Sequence, residues 1–304
     1  MIPRLAPLLA CLTFPAVADV PAVVADIGPV HSMVARVMDG VGNPRLLIPA
    51  GVSPHGHAMR PSEADALARA DIVFWVGTAL APWLDRAVDS LASDAMSVEL
   101  LETAAGAPEG AEEDHDDDVD NDAHDDHDGH DHGDIDPHAW LDPVTGKLWL
   151  DRIADVLAEA DPENAIIYAA NAEAGKAELD TLVVEVRAQL EPVRGRGYIT
   201  FHDAYHGFET RFDMPSLGAI SVSDAVPPSA GQVARLRDVV TTAKAVCVFS
   251  EPQFDPGLVE TLTEGTEARA GVLDPLGATL QPGMTLYPTL LRSIATALED
   301  CLSR

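Results

Sequence analysis

The histidines of this 304-residue chain fall into two kinds of surroundings, and the surroundings decide what each can bind. His115, His124, His127, His130 and His132 lie in EEDHDDDVDNDAHDDHDGHDHGDID, among carboxylates and with no Leu, Phe or Trp beside them. Such side chains have no core to join, so they stay solvated and meet a divalent cation loosely. His138 differs. In DPHAWLDP it stands between two prolines and beside Trp140 and Leu141, where packing holds a ring in one orientation. His55 in GVSPHGHAMRPS, His202 in ITFHDAYHGFE and Asp274 in GVLDPLG complete a set of three imidazoles and one carboxylate. That N3O set suits tetrahedral zinc, with bonds of about 2.0–2.2 Å. Calcium and magnesium prefer sites made of oxygen alone.

Each of these residues also has a plainer reading. His55, next to Pro and Gly, has the composition of a solvated turn. His202 ends an apolar run and is equally placed to cap the following helix. His57 forms an H-x-H pair with His55 or sits behind it, and His206, four residues past His202, has the spacing of a second helical ligand or of a surface residue. His31 lies on an apolar helical face, the setting of an ordinary core histidine.

The elements that must position these residues read as alternating strands and helices. Strands are expected at Val20–Ala25, Leu46–Ile48, Asp71–Val76 and Val98–Leu101, with helices at Pro29–Asp39, Pro61–Ala70, Leu84–Leu91 and Val144–Ala160. The strands are apolar throughout rather than alternating, which points to parallel sheets covered on both faces, an α/β fold. From Asp161-Pro162-Glu163 to Glu191-Pro192 no proline intervenes, and one long helix of roughly 40 Å is expected, at about 1.5 Å per residue. Its apolar face is read as Ile166, Ile167, Ala170, Ala174, Ala177, Leu182, Val183, Val186 and Leu190. Strands at Tyr198–Phe201, Leu217–Val222, Ala245–Ser250 and Ala268–Leu273 repeat the rhythm beyond it, with helices at Ala204–Arg211, Ser229–Ala243, Pro256–Glu264 and Tyr287–Leu302. The resulting division is a leader over residues 1–18, a first lobe over 19–160 with a disordered His/Asp-rich loop at 109–136, a linking helix over 161–192 and a second lobe over 193–304. All four candidate ligands are thereby expected just past strand carboxyl ends, where open parallel sheets bind ligands.

Composition bounds the partners. The net charge of −31 repels nucleic acid and anionic membranes and suits a cation. Fifteen acids lie between Glu109 and Asp136, about half of that charge, so the remainder is spread over the protein and also serves solubility. The start, MIPRLAPLLACLTFPAVADVP, has one Arg, a proline-broken apolar run and Ala16-Val17-Ala18, the pattern of a secretory signal cleaved near Ala18. The run is too short to span a bilayer, so an exported protein without membrane insertion is expected. Leu8-Leu9-Ala10-Cys11 also resembles a lipoprotein box, with few residues before the cysteine. Cleavage at Ala18 removes Cys11 and leaves Cys247 and Cys301 in an oxidising compartment, where a disulfide is expected, the alternative being two buried thiols. Its closure would add roughly 3–4 kcal/mol by loop entropy.

SPHGHAMRPS, DPHAWLDP, ITFHDAYHGFE and GVLDPLG, in that order and spacing, resemble the zinc-uptake periplasmic binding proteins of bacterial ABC transporters, the ZnuA type. The resemblance covers essentially the whole mature chain, including the His/Asp-rich insertion and the C-terminal cysteine pair. It implies two Rossmann-like lobes joined by one long backbone helix, with the metal between them. His55, His138 and His202 match the three histidine positions and Asp274 the fourth, which among relatives is taken by the carboxylate or by water. Relatives that carry manganese generally have glutamate in the third position, so His202 favours zinc. His57 stands where many relatives have an aromatic residue and His206 where many have a small or aromatic one, which makes both candidates for a supporting shell. A monomeric, non-enzymatic carrier handing zinc to an ABC permease follows from the resemblance.

Two rivals remain at this stage. One is a manganese or iron binder of the same fold. The other is a zinc hydrolase, because three histidines and an open position also describe catalytic zinc. Against it, no H-E-x-x-H and no Ser or Cys nucleophile motif is present, and Asp203 is the one nearby candidate base.

Overall fold

The computed structural model describes residues 20–105, 136–221, 229–242 and 244–303. The expected leader and its expected cleavage near Ala18, and His115, His124, His127, His130 and His132, lie outside them.

The first lobe runs β1 (Val23–Ala25), α1 (Gly28–Val37), β2 (Arg45–Leu46), α2 (Pro61–Leu67), β3 (Ile72–Trp75), α3 (Pro82–Leu91), β4 (Met96–Glu99), α4 (Leu100–Ala105) and, past the acidic segment, α5 (Pro143–Ala160). Pro at the first turn starts α1, α2, α3 and α5, where its missing N–H costs nothing. Asp142 caps α5 by accepting from the Val144 N–H at 2.9 Å. After α6 (Ala165–Leu190), the second lobe runs β5 (Tyr198–His202), α7 (His206–Phe212), β6 (Ala219–Ser221), α8 (Ala230–Thr242), β7 (Cys247–Ser250), α9 (Gly257–Thr263), β8 (Arg269–Val272) and α10 (Leu286–Leu302). Both sheets are parallel, in the orders β2-β1-β3-β4 and β6-β5-β7-β8. The two lobes therefore share one topology, with a reversal of strand order between β1 and β3 and again between β5 and β7.

Central strands such as IVFW and CVFS are buried at every position, as their unbroken apolar runs require. The outer face of the first sheet packs Val73 and Trp75 on Leu67, Leu84 and Val88, and that of the second packs Ile199 and Val248 on Val240, Val259 and Leu262. Between the sheets lies one continuous core, in which Val30, Phe74, Leu150, Tyr168, Leu182, Tyr198, Phe249 and Leu291 belong to the same cluster. Parting the lobes would open that core to water, so their relation is fixed by packing as much as by α6. Cys247 and Cys301 form a disulfide that ties β7 to the end of α10.

Two expectations need correction. The buried face of α6 is Tyr168, Ala172, Gly175, Leu179, Leu182, Val186 and Leu190, whereas Ile166 and Ile167 are exposed, as are Ala170, Ala174 and Ala177. The physical reason is a close approach: α6 lies so near α5 that a Cβ on Gly175 would meet Leu150 Cδ1 at 3.0 Å. Tyr168 completes that face by donating its hydroxyl to Asp161, 2.8 Å. An apolar count passes over both a glycine and a tyrosine. The second correction concerns β4, which ends at Glu99, with Leu100 and Leu101 in α4.

Candidate metal centre

His202 is the last residue of β5, and its side chain turns into the gap between the lobes. Glu251 follows β7, the neighbouring strand across the point where strand order reverses. Its Oε1 accepts from His202 Nδ1 at 2.7 Å and from the Tyr205 hydroxyl at 3.2 Å. Burial first, and the Glu251 charge next, push the Tyr205 phenol well above its usual range, so it stays a donor. From the first lobe, His138 starts the turn Ala139–Leu141, anchored where Trp140 Nε1 donates to the Pro275 carbonyl at 2.8 Å and Tyr287 Oη to the Trp140 carbonyl at 2.7 Å. Gly146 admits that tyrosine, since a Cβ there would meet Oη at 2.3 Å. Asp136 Oδ1 accepts from both His138 N and His138 Nδ1, at 2.8 and 3.2 Å.

His55 comes from the loop between β2 and α2. That loop is held at Pro54, whose carbonyl accepts from Trp83 Nε1 at 2.7 Å, and at His57, whose Nε2 lies 2.7 Å from Glu63 Oε2. The same Glu63 oxygen accepts the Arg60 N–H at 2.7 Å, closing the first turn of α2. Burial would raise the Glu63 carboxyl, but the Arg60 N–H and then His57 outweigh it and hold the group below its usual range.

The three rings converge. His138 Nε2 lies 3.3 Å from His55 Nε2 and 3.2 Å from His202 Nε2, and one ligand atom from each of the three residues lies within 4.8 Å of the others. Two imidazole nitrogens bound at about 2.0–2.1 Å to one tetrahedral zinc stand roughly 3.3 Å apart. The carboxylates settle the tautomers: an acceptor-only group facing Nδ1 of His138 and of His202 keeps the proton there and leaves a lone pair on each Nε2. Lone pairs aimed at a common point repel one another unless a cation stands between them, so the arrangement is that of a metal site with its orienting carboxylates.

Of the candidates from sequence, His55, His138 and His202 are brought together. Asp274 is not a member of that group. It follows β8, and its Oδ1 accepts from the Leu276 and Gly277 N–H groups at 3.1 and 2.9 Å, fixing the turn whose Pro275 and Leu276 line the pocket. His57 points to Glu63 and packs edge-on against Trp83, and His206 is exposed at the start of α7. His202 and Asp274 do sit at strand ends, but His55 and His138 are carried by loops, the latter separated from β4 by α4. Loops of this length have no sequence signal for where their side chains point.

Three further residues escaped sequence reading. Glu251 follows the apolar run AVCVFS at a strand carboxyl end, the same signal that marks His202 and Asp274. Asp136 stands two residues before a ligand, within reach of its backbone N–H. Gln253 gives no signal. It lines the pocket with the three histidines, and both its amide atoms, Oε1 and Nε2, are buried without a hydrogen-bond partner. Each such atom costs about 1–3 kcal/mol when left unpaired.

The comparisons agree with this geometry. The sequence pattern of the family described as zinc-uptake complex component A, periplasmic, matches residues 23–301. The chain belongs to that family. A high-affinity zinc uptake system protein ZnuA of Brucella suis is 42% identical over 93% of this chain and 92% of its own. The protein of the same description from Paracoccus denitrificans is 40% identical over 98% and 97%. Among solved structures, a crystal structure of ZnuA superposes with a TM-score of 0.76 at 25% identity, covering 93% of this chain and all of that one. The ZnuA architecture of two parallel-sheet lobes and a long central helix is therefore common to both. In this ZnuA-family member the His55–His138–His202 cluster, among the described residues, is a group that could hold a zinc ion.

Proposed function

We propose that the protein is a periplasmic zinc carrier that takes up one Zn2+ between its lobes and hands it to an ABC-type membrane permease. The observation that carries this reading is the convergence of three imidazoles, with His138 Nε2 at zinc-ligand spacing from Nε2 of both His55 and His202, and with the rings of His138 and His202 oriented by carboxylates. His55, His138 and His202 hold the ion, with Asp274 or water in the fourth position. The names of its relatives, high-affinity zinc uptake proteins at 28–42% identity, support the cargo and the export route, and with it removal of a leader near Ala18. The carrier acts as a monomer without membrane insertion; no helix among the described residues is long and apolar enough to cross a membrane. His115, His124, His127, His130 and His132 form a weak, multi-site collector that raises the local zinc concentration.

No catalysis belongs to this reading. Asp203 is exposed and faces the cavity between β6 and α8, while Glu251 is occupied in holding His202, so neither is placed as a general base at the metal. Calorimetric titration of zinc at about pH 7.5 and about pH 5.5 tests the proposal, because protons compete for imidazoles below about pH 6.5. One tight site, much weakened at the lower pH and retained when residues 112–134 are deleted, is the expected result. Equal affinity at both pH values, or a stronger response to manganese than to zinc, would overturn it.

A further inference from the structure

The described residues leave the fourth coordination position to be filled from one side. His55, His138 and His202 close three sides of a cavity whose remaining wall is Pro54, Trp140, Glu251, Gln253, Pro275 and Leu276. The cavity has a volume of about 10 Å3, close to the roughly 10–15 Å3 that admits a single water. Proline, leucine and tryptophan rings offer no ligand there, and Trp140 Nε1 is already given to Pro275. Glu251 turns its Oε1 to His202 and Tyr205, and Asp274 is not part of this wall. Gln253 is the member of this wall whose donor and acceptor are both enclosed and both unpaired.

We propose that Gln253 is the positioning residue for the fourth ligand of the bound zinc, a single water whose proton is accepted by its amide oxygen. This rests on the zinc-carrier reading above and decides between its two options for the fourth position, in favour of water. An amide is a poor zinc ligand beside imidazole, thiolate and carboxylate but a good acceptor for a metal-bound water, which is a strengthened donor. The buried, unpaired amide is then a group that waits for its partner: its hydrogen bond forms only when the ion brings the water in. The donor set that results, three neutral imidazoles and one neutral water, lacks the carboxylate oxygen that manganese favours. Water is also the ligand most readily exchanged for an acceptor offered by a receiving protein.

The test uses the full mature chain and its Gln253→Leu, Gln253→Glu and Asp274→Asn variants, with Zn2+ for affinity and Co2+ as the visible stand-in. If Gln253 holds the water, Gln253→Leu binds one zinc about tenfold more weakly, the worth of one hydrogen bond to a charge-polarised partner. Its cobalt d–d bands shift as well. The metal-free chain meanwhile melts at the same temperature or higher, because an unpaired buried amide has been replaced by an apolar group of similar size. Gln253→Glu supplies a carboxylate in place of the water and raises manganese affinity relative to zinc. Asp274→Asn leaves the cobalt bands where they are. A cobalt spectrum and a zinc affinity unmoved in Gln253→Leu, or bands that move in Asp274→Asn instead, would overturn the assignment while leaving the three-histidine site intact. Absence of a one-to-one zinc site in the unaltered chain would instead sink the carrier reading itself.

Discussion

The two halves of the candidate metal centre are built differently although the two lobes share one topology. The second lobe places His202 inside β5 and Glu251 directly after β7, on the two strands that flank its reversal of strand order. The β5–β6 ladder pairs His202 with Ser221, and Glu251 directly follows Ser250, which pairs with Val272 of β8, so both positions are fixed before any metal arrives. In the first lobe the equivalent place, between β1 and β3, is filled by Asp26, which is wholly buried and serves the backbone by accepting from Ile27 N and Val76 N at 2.7 and 2.8 Å. That lobe contributes its ligands from loops, His55 held through His57–Glu63 and Trp83–Pro54, His138 through Asp136. A strand-borne ligand needs no ordering when the ion binds, whereas a loop-borne ligand is as ordered as the contacts that hold its loop. The second lobe is thus the preformed half of the site and the first lobe the adjustable half.

Removing a ligand from each half gives the largest expected difference. His202→Ala should weaken zinc by well over 100-fold, beyond the 10–100-fold typical of losing an outer-shell partner. It should also destabilise the metal-free protein by about 1–3 kcal/mol, because Glu251 is left buried without its imidazole. His55→Ala should weaken zinc severely too but leave the melting temperature of the metal-free protein within a degree or two, roughly ±0.5 kcal/mol, since the residue is only partly buried and in a loop. Calorimetry and thermal unfolding of the two variants measure both effects, and equal loss of metal-free stability would erase the distinction between the halves.

The orienting carboxylates sharpen the comparison at the next level. Glu251→Gln replaces an acceptor by an amide inside a fully buried contact, whereas Asp136 keeps a quarter of its side chain in water. Both should lower zinc affinity, Glu251→Gln near the upper end of about 10–100-fold and Asp136→Asn near the lower. A larger loss for Asp136→Asn would place the rigid support in the first lobe instead. One step further out, Glu63→Gln loosens the His55 loop without touching a ligand. A loss of about threefold in affinity is expected, carried by slower association rather than faster release, and stopped-flow mixing with a zinc-sensitive dye distinguishes the two.

The strands are legible in the sequence but this division is not, because an apolar run marks where a strand ends and not how far a loop carries a side chain beyond it. Continuous apolar runs such as DIVFWV and AVCVFS gave the parallel strands directly, because burial on both faces leaves no polar position. Among the candidate ligands His138 and His202 stand out because flanking prolines with Trp140, or a strand end, immobilise them, whereas His55 beside Pro54 and Gly56 reads equally as a solvated turn. The partners His57 and Glu63 were not legible as a pair, since a contact from a loop to the first turn of the next helix depends on a turn that apolar periodicity does not encode. The packing face of α6 was misread through Tyr168 and Gly175 for a related reason: close approach is a property of two helices, and the sequence of one helix does not state it. Gln253 is the extreme case, an ordinary polar residue whose significance comes only from enclosure.

The smallest expected effect on zinc concerns Asp26, and it separates the two strand-order reversals most cleanly. Burial pushes the Asp26 carboxyl up to about 7 from its usual 3.8, against the backbone N–H groups of Val76 and Ile27 that favour its charged form. Between those two values the folded chain holds a proton that the unfolded chain has released. Stability of the metal-free protein therefore declines as pH rises from about 4 to about 7, by up to roughly 4 kcal/mol from this group at about 1.4 kcal/mol per pH unit, and is flat in this contribution above that. Asp26→Asn removes that slope and adds only a constant cost, from an amide NH2 set against a backbone N–H. The difference in unfolding free energy between the two proteins, followed by urea titration across this range, should change steadily up to about pH 7 and then level off, while zinc affinity at neutral pH stays within about twofold. A pH-independent difference would mean that Asp26 is ionised in the fold. A large loss of zinc affinity would mean that the reversal in the first lobe shapes the metal site after all, as the one in the second lobe does.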